Sequence, residues 1–491
     1  MNWDRSSCSN QVDNASVQFS VLSRNQRERI FSAILEVLER TGTKVYNEEA
    51  LALLKNAGCR SDGERVWIPS RLVERAVRSA PSRVTLADRN GKRRLFLEGN
   101  NTYFGPGPTN PYFIDLETGE RRKVTKEDAC NVATLVDCLP GMDFCMSLAS
   151  ISNVTPVLAD VHEVHAMLTS TTKPVVTWAF NLQNNETIVS MCEAVAGSAA
   201  ELRDNPFLAL YAEPATPLKH PKESLDKLFY MAEKELPIIY TPGVQGSATA
   251  PASLAGVIVI AAADCLAGLV MHQLKKEGAP FIAGGVTTNM DMKTMIHCYA
   301  SSPDFCLMHA GYTELIQHLN LPMFSTAGCS DSKVLDMQAA IEYALSIYSA
   351  ALSGANLVHD VGFLESGMSA SLQGLVMGDE IISYVRKMVQ GIRVDSDTLA
   401  LDVIDSVGPG GHFLQEMHTL QNFKTQFWLP KLINRENYAS WDLNGKITYD
   451  QRLTAKARQL LQEHQPQPLG DDLKAELLRI LNRAETEKAG I

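Results

Sequence analysis

Through the middle of the chain, short apolar runs alternate with longer segments in which apolar residues recur every three or four positions. The runs are DFCMSLAS (143–150), PVVTWAF (174–180), FLALYAEP (207–214), PIIYTPG (237–243), PFIAGGVT (280–287), DFCLMHAG (304–311), PMFSTAGC (322–329) and NLVHDVG (356–362). Four of them open on proline, which a strand tolerates at its first residue but not at its centre. The intervening segments have helical spacing. In residues 336–353, for example, Ala339, Ile341, Leu345 and Leu352 continue a face begun by Leu335, and Gly354 follows as a stop. Strands alternating with helices predict a parallel sheet. Eight such units over about 240 residues match the (β/α)8 TIM barrel in number and size. An open doubly wound sheet usually carries a glycine-rich phosphate turn after its first strand, and none follows Ser150.

Two additions flank the predicted barrel of residues 141–390. Residues 1–140 read as an N-terminal α+β extension packed on it. They hold a helical segment over 24–41, a strand-to-helix entry in WIPSRLVERAV, and the turn-rich aromatic stretch NTYFGPGPTNPYFID. Residues 391–491 read as a C-terminal helical extension with VGPGGHFLQEMHT as its conspicuous loop, and its last fifty residues as amphipathic helices on the outside.

Composition narrows the function classes. There are 45 Lys and Arg against 56 Asp and Glu, a net charge of −11, and the densest basic patch, Arg121-Arg122-Lys123, is short. Nucleic acid is therefore not an expected partner, because neutralising phosphates needs a basic face. The ten cysteines include no C-x-x-C pair, and Cys145, Cys265 and Cys306 sit in apolar surroundings. A reduced, cytoplasmic protein is the plain reading. The opening MNWDRSSCSNQ lacks the apolar core of a signal peptide. Residues 254–271 are apolar enough to suggest a membrane span, but Asp264 interrupts them and Lys275-Lys276-Glu277 closes them. A buried helix, with no membrane partner, is expected.

In barrel enzymes the chemistry collects where strands end and the following loops begin. That rule selects Ser150, Trp178, Phe180, Tyr211, Glu213, Tyr240, Gln245, Thr287, Asn289, His309, Thr326 to Ser330 and His359. Aromatic residues recur among them and acids are scarce. Glu213 is the one carboxylate in a strand's last two positions, with Asp331 and Asp360 nearby. Hydrolysis by paired acids would want a closer pair. A barrel mouth lined by aromatic rings suits a cation with no hydrogen to donate, held by roughly 0.5–2 kcal/mol per good ring contact.

One ordered set of segments carries a resemblance. It runs through YFGPGPTNPYFID and ETGERRKVT, then TPGVQGSATAPASLAGVIVIAAADCLAGLVMHQLKKEGAPFIAGG and NMDMKT. It continues with LPMFSTAGCSDSKVLDMQAAIEYALS and NLVHDVGFLESGMSASLQGLVMGDEI. Over residues 20–480 the chain resembles the trimethylamine methyltransferase family. Founding members of that family place pyrrolysine on a barrel strand end. This chain has ordinary residues throughout, so it resembles the non-pyrrolysine branch, whose characterised members demethylate quaternary amines such as glycine betaine. The resemblance implies a partner, a cognate corrinoid protein whose cob(I)alamin-type corrinoid takes the methyl group, with no cofactor held permanently by this chain. It also puts the lost pyrrolysine near Gly328 and Cys329, which makes the turn STAGCSDSKVLDMQ (325–338) the expected floor of the site.

A quaternary amine leaves as a neutral tertiary amine and needs neither protonation nor an adduct. Its alignment with the attacking metal is then the main task, for which orientation can supply about 7–11 kcal/mol. Trp178, Phe180, Tyr211 and Tyr240 are the expected cage for the trimethylammonium group, with Tyr103 and Phe104 as lid contributors. A betaine carboxylate needs its own partner. His359 is the first candidate, followed by Ser330 at a helix start, then Asn289 and Gln245 as donors. No resident metal is expected, and a homo-oligomer is. Two alternatives remain open at this point. His309, Cys329 and His359 fall on consecutive predicted strand ends and could form a zinc site for a methyltransferase or hydrolase. A barrel that binds betaine without turning it over is the other. The sequence Asp160-Val161-His162 resembles a cobalt-ligating motif but lacks its glycine, and His162 and His165 read as ordinary helix histidines.

Overall fold

A computed structural model describes residues 19–299 and 302–489; the opening residues read above for a signal peptide lie outside them. Seven strands form one parallel, curled sheet: β1 (Tyr103–Phe104), β2 (Val175–Trp178), β3 (Leu208–Ala212), β4 (Ile238–Tyr240), β5 (Phe281–Gly284), β6 (Met323–Thr326) and β7 (Leu357–His359). Their order is β1-β7-β6-β5-β4-β3-β2. Each strand sends one side chain into a single interior cluster, namely Tyr103, Val176, Ala209, Ile239, Ile282, Phe324 and Leu357. Phe144 and Met146 join them from an extended segment that touches both outer strands. There Asp143 N–H donates to Phe104 O (2.6 Å), Cys145 N–H to Pro174 O (2.8 Å) and Val176 N–H to Cys145 O (2.9 Å).

Helices pack around this sheet in chain order: α1 (Lys126–Cys138), α2 (Ala159–Ser170), α3 (Leu182–Ala196), α4 (Lys222–Glu233), α5 (Leu254–Lys275), α6 (Pro303–His318), α7 (Met337–Ser353) and α8 (Leu372–Val389). Their ends follow local signals. Asp336 caps α7 by accepting from Ala339 N–H, and Gly354 ends it in a left-handed conformation that glycine adopts without steric cost. α5 is long and apolar enough to cross a membrane, yet most of it is buried in the molecule. Its close approach to β4 depends on Gly268, where a Cβ would lie 2.3 Å from the Tyr240 ring.

One expected strand is a helix. Residues 304–311 belong to α6, because Ser302 caps it by accepting from Phe305 N–H (3.2 Å), Pro303 occupies its first turn and Asp304 follows. The remaining sheet position is filled from the N-terminal region, where β1 pairs with β7 through Tyr103 and Phe104. The boundary drawn at residue 140 therefore does not coincide with an edge of the sheet. The helix Tyr449–Glu463 packs on α8 and α1, and Asp471–Ala489 packs on α3 and α2. Between α8 and these, the short helices Ser396–Leu399, Leu401–Val407, Met417–Gln426 and Tyr438–Leu443 bury no side chain.

Candidate active site

Where β2, β3 and β7 end, a cavity of about 260 Å³ opens. Trp178 closes β2, Tyr211 and Ala212 close β3 with Glu213 just beyond, and His359 closes β7 ahead of Asp360. The loop after β1 adds Pro108 and Thr109, α4 adds Ser224 and Lys227, and the loops flanking the sheet add Tyr299 and Phe363. Four aromatic rings thus face the space together with two carboxyl groups and one lysine. Its volume lies below the roughly 300–1,000 Å³ typical of drug-sized ligands, which points to a small one.

The ring orientations are held from behind. Trp178 donates its indole N–H to Glu163 Oε2 (3.0 Å), and Glu163 also accepts from Ile151 N–H (3.2 Å). Burial lifts the Glu163 carboxyl to about 8 even though these hydrogen bonds pull it down. The Tyr211 hydroxyl donates to Glu213, whose carboxylate is reached by water through the cavity. Tyr299 donates to Asp360 Oδ2 (2.7 Å). Burial pushes Asp360 up to about 8 and His359 down to about 3. His359 Nδ1 lies 2.9 Å from Ser325 O, an acceptor, so Nδ1 carries the hydrogen. Its Nε2 lies 3.2 Å from Asp360 Oδ1, and near neutral pH burial keeps the imidazole neutral and the Asp360 carboxyl largely protonated.

Four residues selected from the sequence, Trp178, Tyr211, Glu213 and His359, meet in this wall. The others stand elsewhere. Tyr240 points away from the cavity into the layer between sheet and α5, fully buried, with its hydroxyl 2.8 Å from His220 Nδ1. Phe180 lies on the loop after β2, 45% exposed, edge-on to Trp178 at 4.4 Å. Tyr103 is no lid: it packs in the sheet's interior cluster and its hydroxyl accepts from Phe96 N–H. Phe104 is core as well. Gln245 pairs with Thr288 and Asn289 with Gly246 in a side sheet of Gly243–Gly246 and Val286–Asp291, outside the cavity wall. Ser330 is not at a helix start, because Asp336 caps α7 further along the chain, and its Oγ donates to Glu342 Oε2 (2.6 Å) inside that helix.

Gly328 and Cys329 do not form a floor, because they lie behind the wall. Gly328 is left-handed (φ 76°), where a Cβ would strike Val361. The buried Cys329 thiol donates to Tyr299 O (3.1 Å), and a backbone bridge joins Cys329 to Phe363. The turn therefore supports two lining residues. The zinc set does not assemble: His309 sits on α6 with Nδ1 3.0 Å from Ser325 Oγ, and no group of three or more His, Cys, Asp or Glu side chains among the described residues could hold a metal ion. His162 Nε2 lies 2.7 Å from Glu485 Oε1, a helix-to-helix contact.

Sequence reasoning missed Tyr299, Phe363, Lys227, Ser224, Pro108 and Thr109 as wall residues. The last two lie within the aromatic, turn-rich stretch noted above and had a visible signal. Lys227 had none, since it lies in the middle of a helix, and Tyr299 follows a short antiparallel strand, Ile296–Cys298, that belongs to none of the predicted runs.

Comparison with known proteins bears on the same chain. The family model described as trimethylamine methyltransferase (MTTB) matches residues 3–489. The chain is 34% identical over 461 residues to the trimethylamine methyltransferase MttB of Desulfitobacterium hafniense (strain DSM 10664 / DCB-2), covering 93% of this chain and 92% of that protein. It is 30% identical over 462 residues to a glycine betaine methyltransferase of Desulfitobacterium hafniense (strain Y51), covering 94% and 96%. The crystal structure of the Methanosarcina barkeri monomethylamine methyltransferase (MtmB) is similar in fold, with a TM-score of 0.52 at 11% identity over 91% of this chain and 88% of that one.

Proposed function

The chain belongs to the trimethylamine methyltransferase (MTTB) family, and from that premise we propose that it takes a methyl group from a small quaternary amine, glycine betaine or a related betaine. The acceptor in this reading is the Co(I) corrinoid of a separate protein, which supplies the nucleophile. With the reading goes a closed (β/α)8 barrel, in which the segment around Cys145 completes the sheet, and a cytoplasmic site of action.

The observation that carries the proposal is the cavity wall of Trp178, Tyr211, Tyr299 and Phe363 with Glu213 and Asp360 among them. A quaternary ammonium has no N–H to donate, so ring faces and nearby carboxylates are its available partners. The thiol behind the wall, that of Cys329, is unsuited to accept a methyl group. It is fully buried, turned onto Tyr299 O, and held protonated by burial. In this reading the methyl acceptor comes from outside, on the side of the exposed Thr109. Within the cavity the task left to this chain is to hold the cation and exclude water while one methyl faces the opening. The departing tertiary amine is neutral, so no general acid is required.

Purified protein mixed with a reduced corrinoid protein should methylate it in the presence of glycine betaine or a related betaine, read from the visible spectrum of the corrinoid. Trimethylamine should be a poor donor, because this chain has no pyrrolysine. Activity with trimethylamine equal to or above that with every betaine would overturn the assignment.

A further inference from the structure

Lys227 is the feature of the cavity that cation binding leaves unexplained. It sits on α4 with 8% of its surface exposed, and it lines the cavity beside Ala179, Glu213 and Ser224. An ammonium has three donors and no acceptor. Only one hydrogen bond satisfies it, to Ala179 O at 2.5 Å, and it forms no ion pair among the described residues. Burial lowers its pKa, partly offset by the more distant charges of Asp160, Glu213 and Glu223. A buried ammonium with a single neutral acceptor is costly unless something else enters to pair with it.

The group first expected to hold a betaine carboxylate is not free to do so. His359 uses Nδ1 on Ser325 O, and its Nε2 faces Asp360. Near neutral pH it therefore has no hydrogen to offer a carboxylate, whereas Lys227 has donors to spare. The cavity is also polar in a directional sense. Tyr299 donates to Asp360, Tyr211 to Glu213 and Lys227 to Ala179 O, and the charge of Glu213 acts on both Asp360 and Lys227, which places it between them. We infer that Lys227 anchors the carboxylate of a zwitterionic quaternary amine whose cationic end lies among the aromatic rings toward Asp360. This inference rests on the quaternary-amine reading and sharpens it: the cavity is built for a short betaine and discriminates against a simple cation.

Titration calorimetry on the full-length protein separates the two. The ligands are glycine betaine, which has both charges, and tetramethylammonium and choline, which have only the cation. Lys227→Met should raise the Kd for glycine betaine about 10–100-fold, the worth of a charge-assisted hydrogen bond. Its Kd for tetramethylammonium and choline should change less than about threefold, or fall, since a like charge is removed. Where Lys227→Met does not fold, Lys227→Gln gives the same comparison, with a smaller loss because one donor group is kept. Equal losses for betaine and the simple cations, or no loss for betaine, would overturn the role of Lys227 while leaving the cation site standing. If the wild-type protein binds none of the three ligands, the quaternary-amine reading itself falls.

Discussion

Asp360 concentrates the electrostatics of the site. It is fully buried and held in a left-handed backbone conformation (φ 81°), which aspartate adopts more readily than most non-glycine residues. Burial raises its carboxyl from 3.8 to about 8, Tyr299 opposes the rise, and the charge of Glu213 adds to it. A permanent cation nearby favours the ionised form, so binding expels the proton that the empty site holds. The sign follows: below about 8 the proton competes with the cation, and tetramethylammonium affinity should rise with pH by up to about tenfold per unit, flattening above about 8. Calorimetry across pH 6 to 9 on the wild type and on Asp360→Asn checks this, and the variant should lose both the slope and some affinity. In the ligand-free protein the same raised pKa stabilises the fold at low pH, and that contribution is lost as pH rises through about 8. A second expectation separates cage from core. Tyr299→Leu should weaken tetramethylammonium binding by about 1–2 kcal/mol. Tyr240→Leu should leave affinity unchanged and lower the denaturation midpoint, because it empties a packed layer and strips His220 of its partner.

Among the elements, most of the sheet was legible because its strands are short, apolar and bounded by proline or small residues. β2 to β7 each fall inside one of the predicted runs. The miss at residues 304–311 has a local cause: Ser302, Pro303 and Asp304 are helix-start signals, and they outweigh an apolar stretch without β-branched residues. β1 was missed for the opposite reason, since a strand of two residues in a glycine- and proline-rich stretch has no periodicity to detect. α5 shows that packing can override propensity. Alanine is a better helix former than glycine by about 1 kcal/mol. At Gly268, however, the added Cβ would sit 2.3 Å from a ring that is itself enclosed. Overpacking of that kind costs about 1–3 kcal/mol, so Gly268→Ala should lower stability in chemical denaturation, against the intrinsic preference.

For the molecule as a whole, the segment between α8 and the last two helices stands out by what it leaves uncovered. Ile392, Leu414 and Leu443 are 82%, 84% and 88% exposed, and Leu401, Phe427 and Tyr438 accompany them. Helices that bury nothing are marginal alone in water, so a covering surface is expected here. A second copy of this chain is the expected occupant. Sedimentation should find an assembly larger than the 53.9 kDa chain. Leu414→Lys with Leu443→Lys should shift it toward the monomer while sparing tetramethylammonium binding, since neither residue lines the cavity. The sequence alone determined the alternation of strands and helices and four wall residues at or just beyond strand ends, because those depend on periods of two to four residues and on capping. Only the tertiary structure decided that Tyr299, Phe363 and Lys227 complete the wall, that Tyr240 turns outward, and that the turn at Cys329 backs the site. Which loops converge over a strand end is set by sheet order and by the path of connections dozens of residues long, and no local pattern of apolar and polar positions records it.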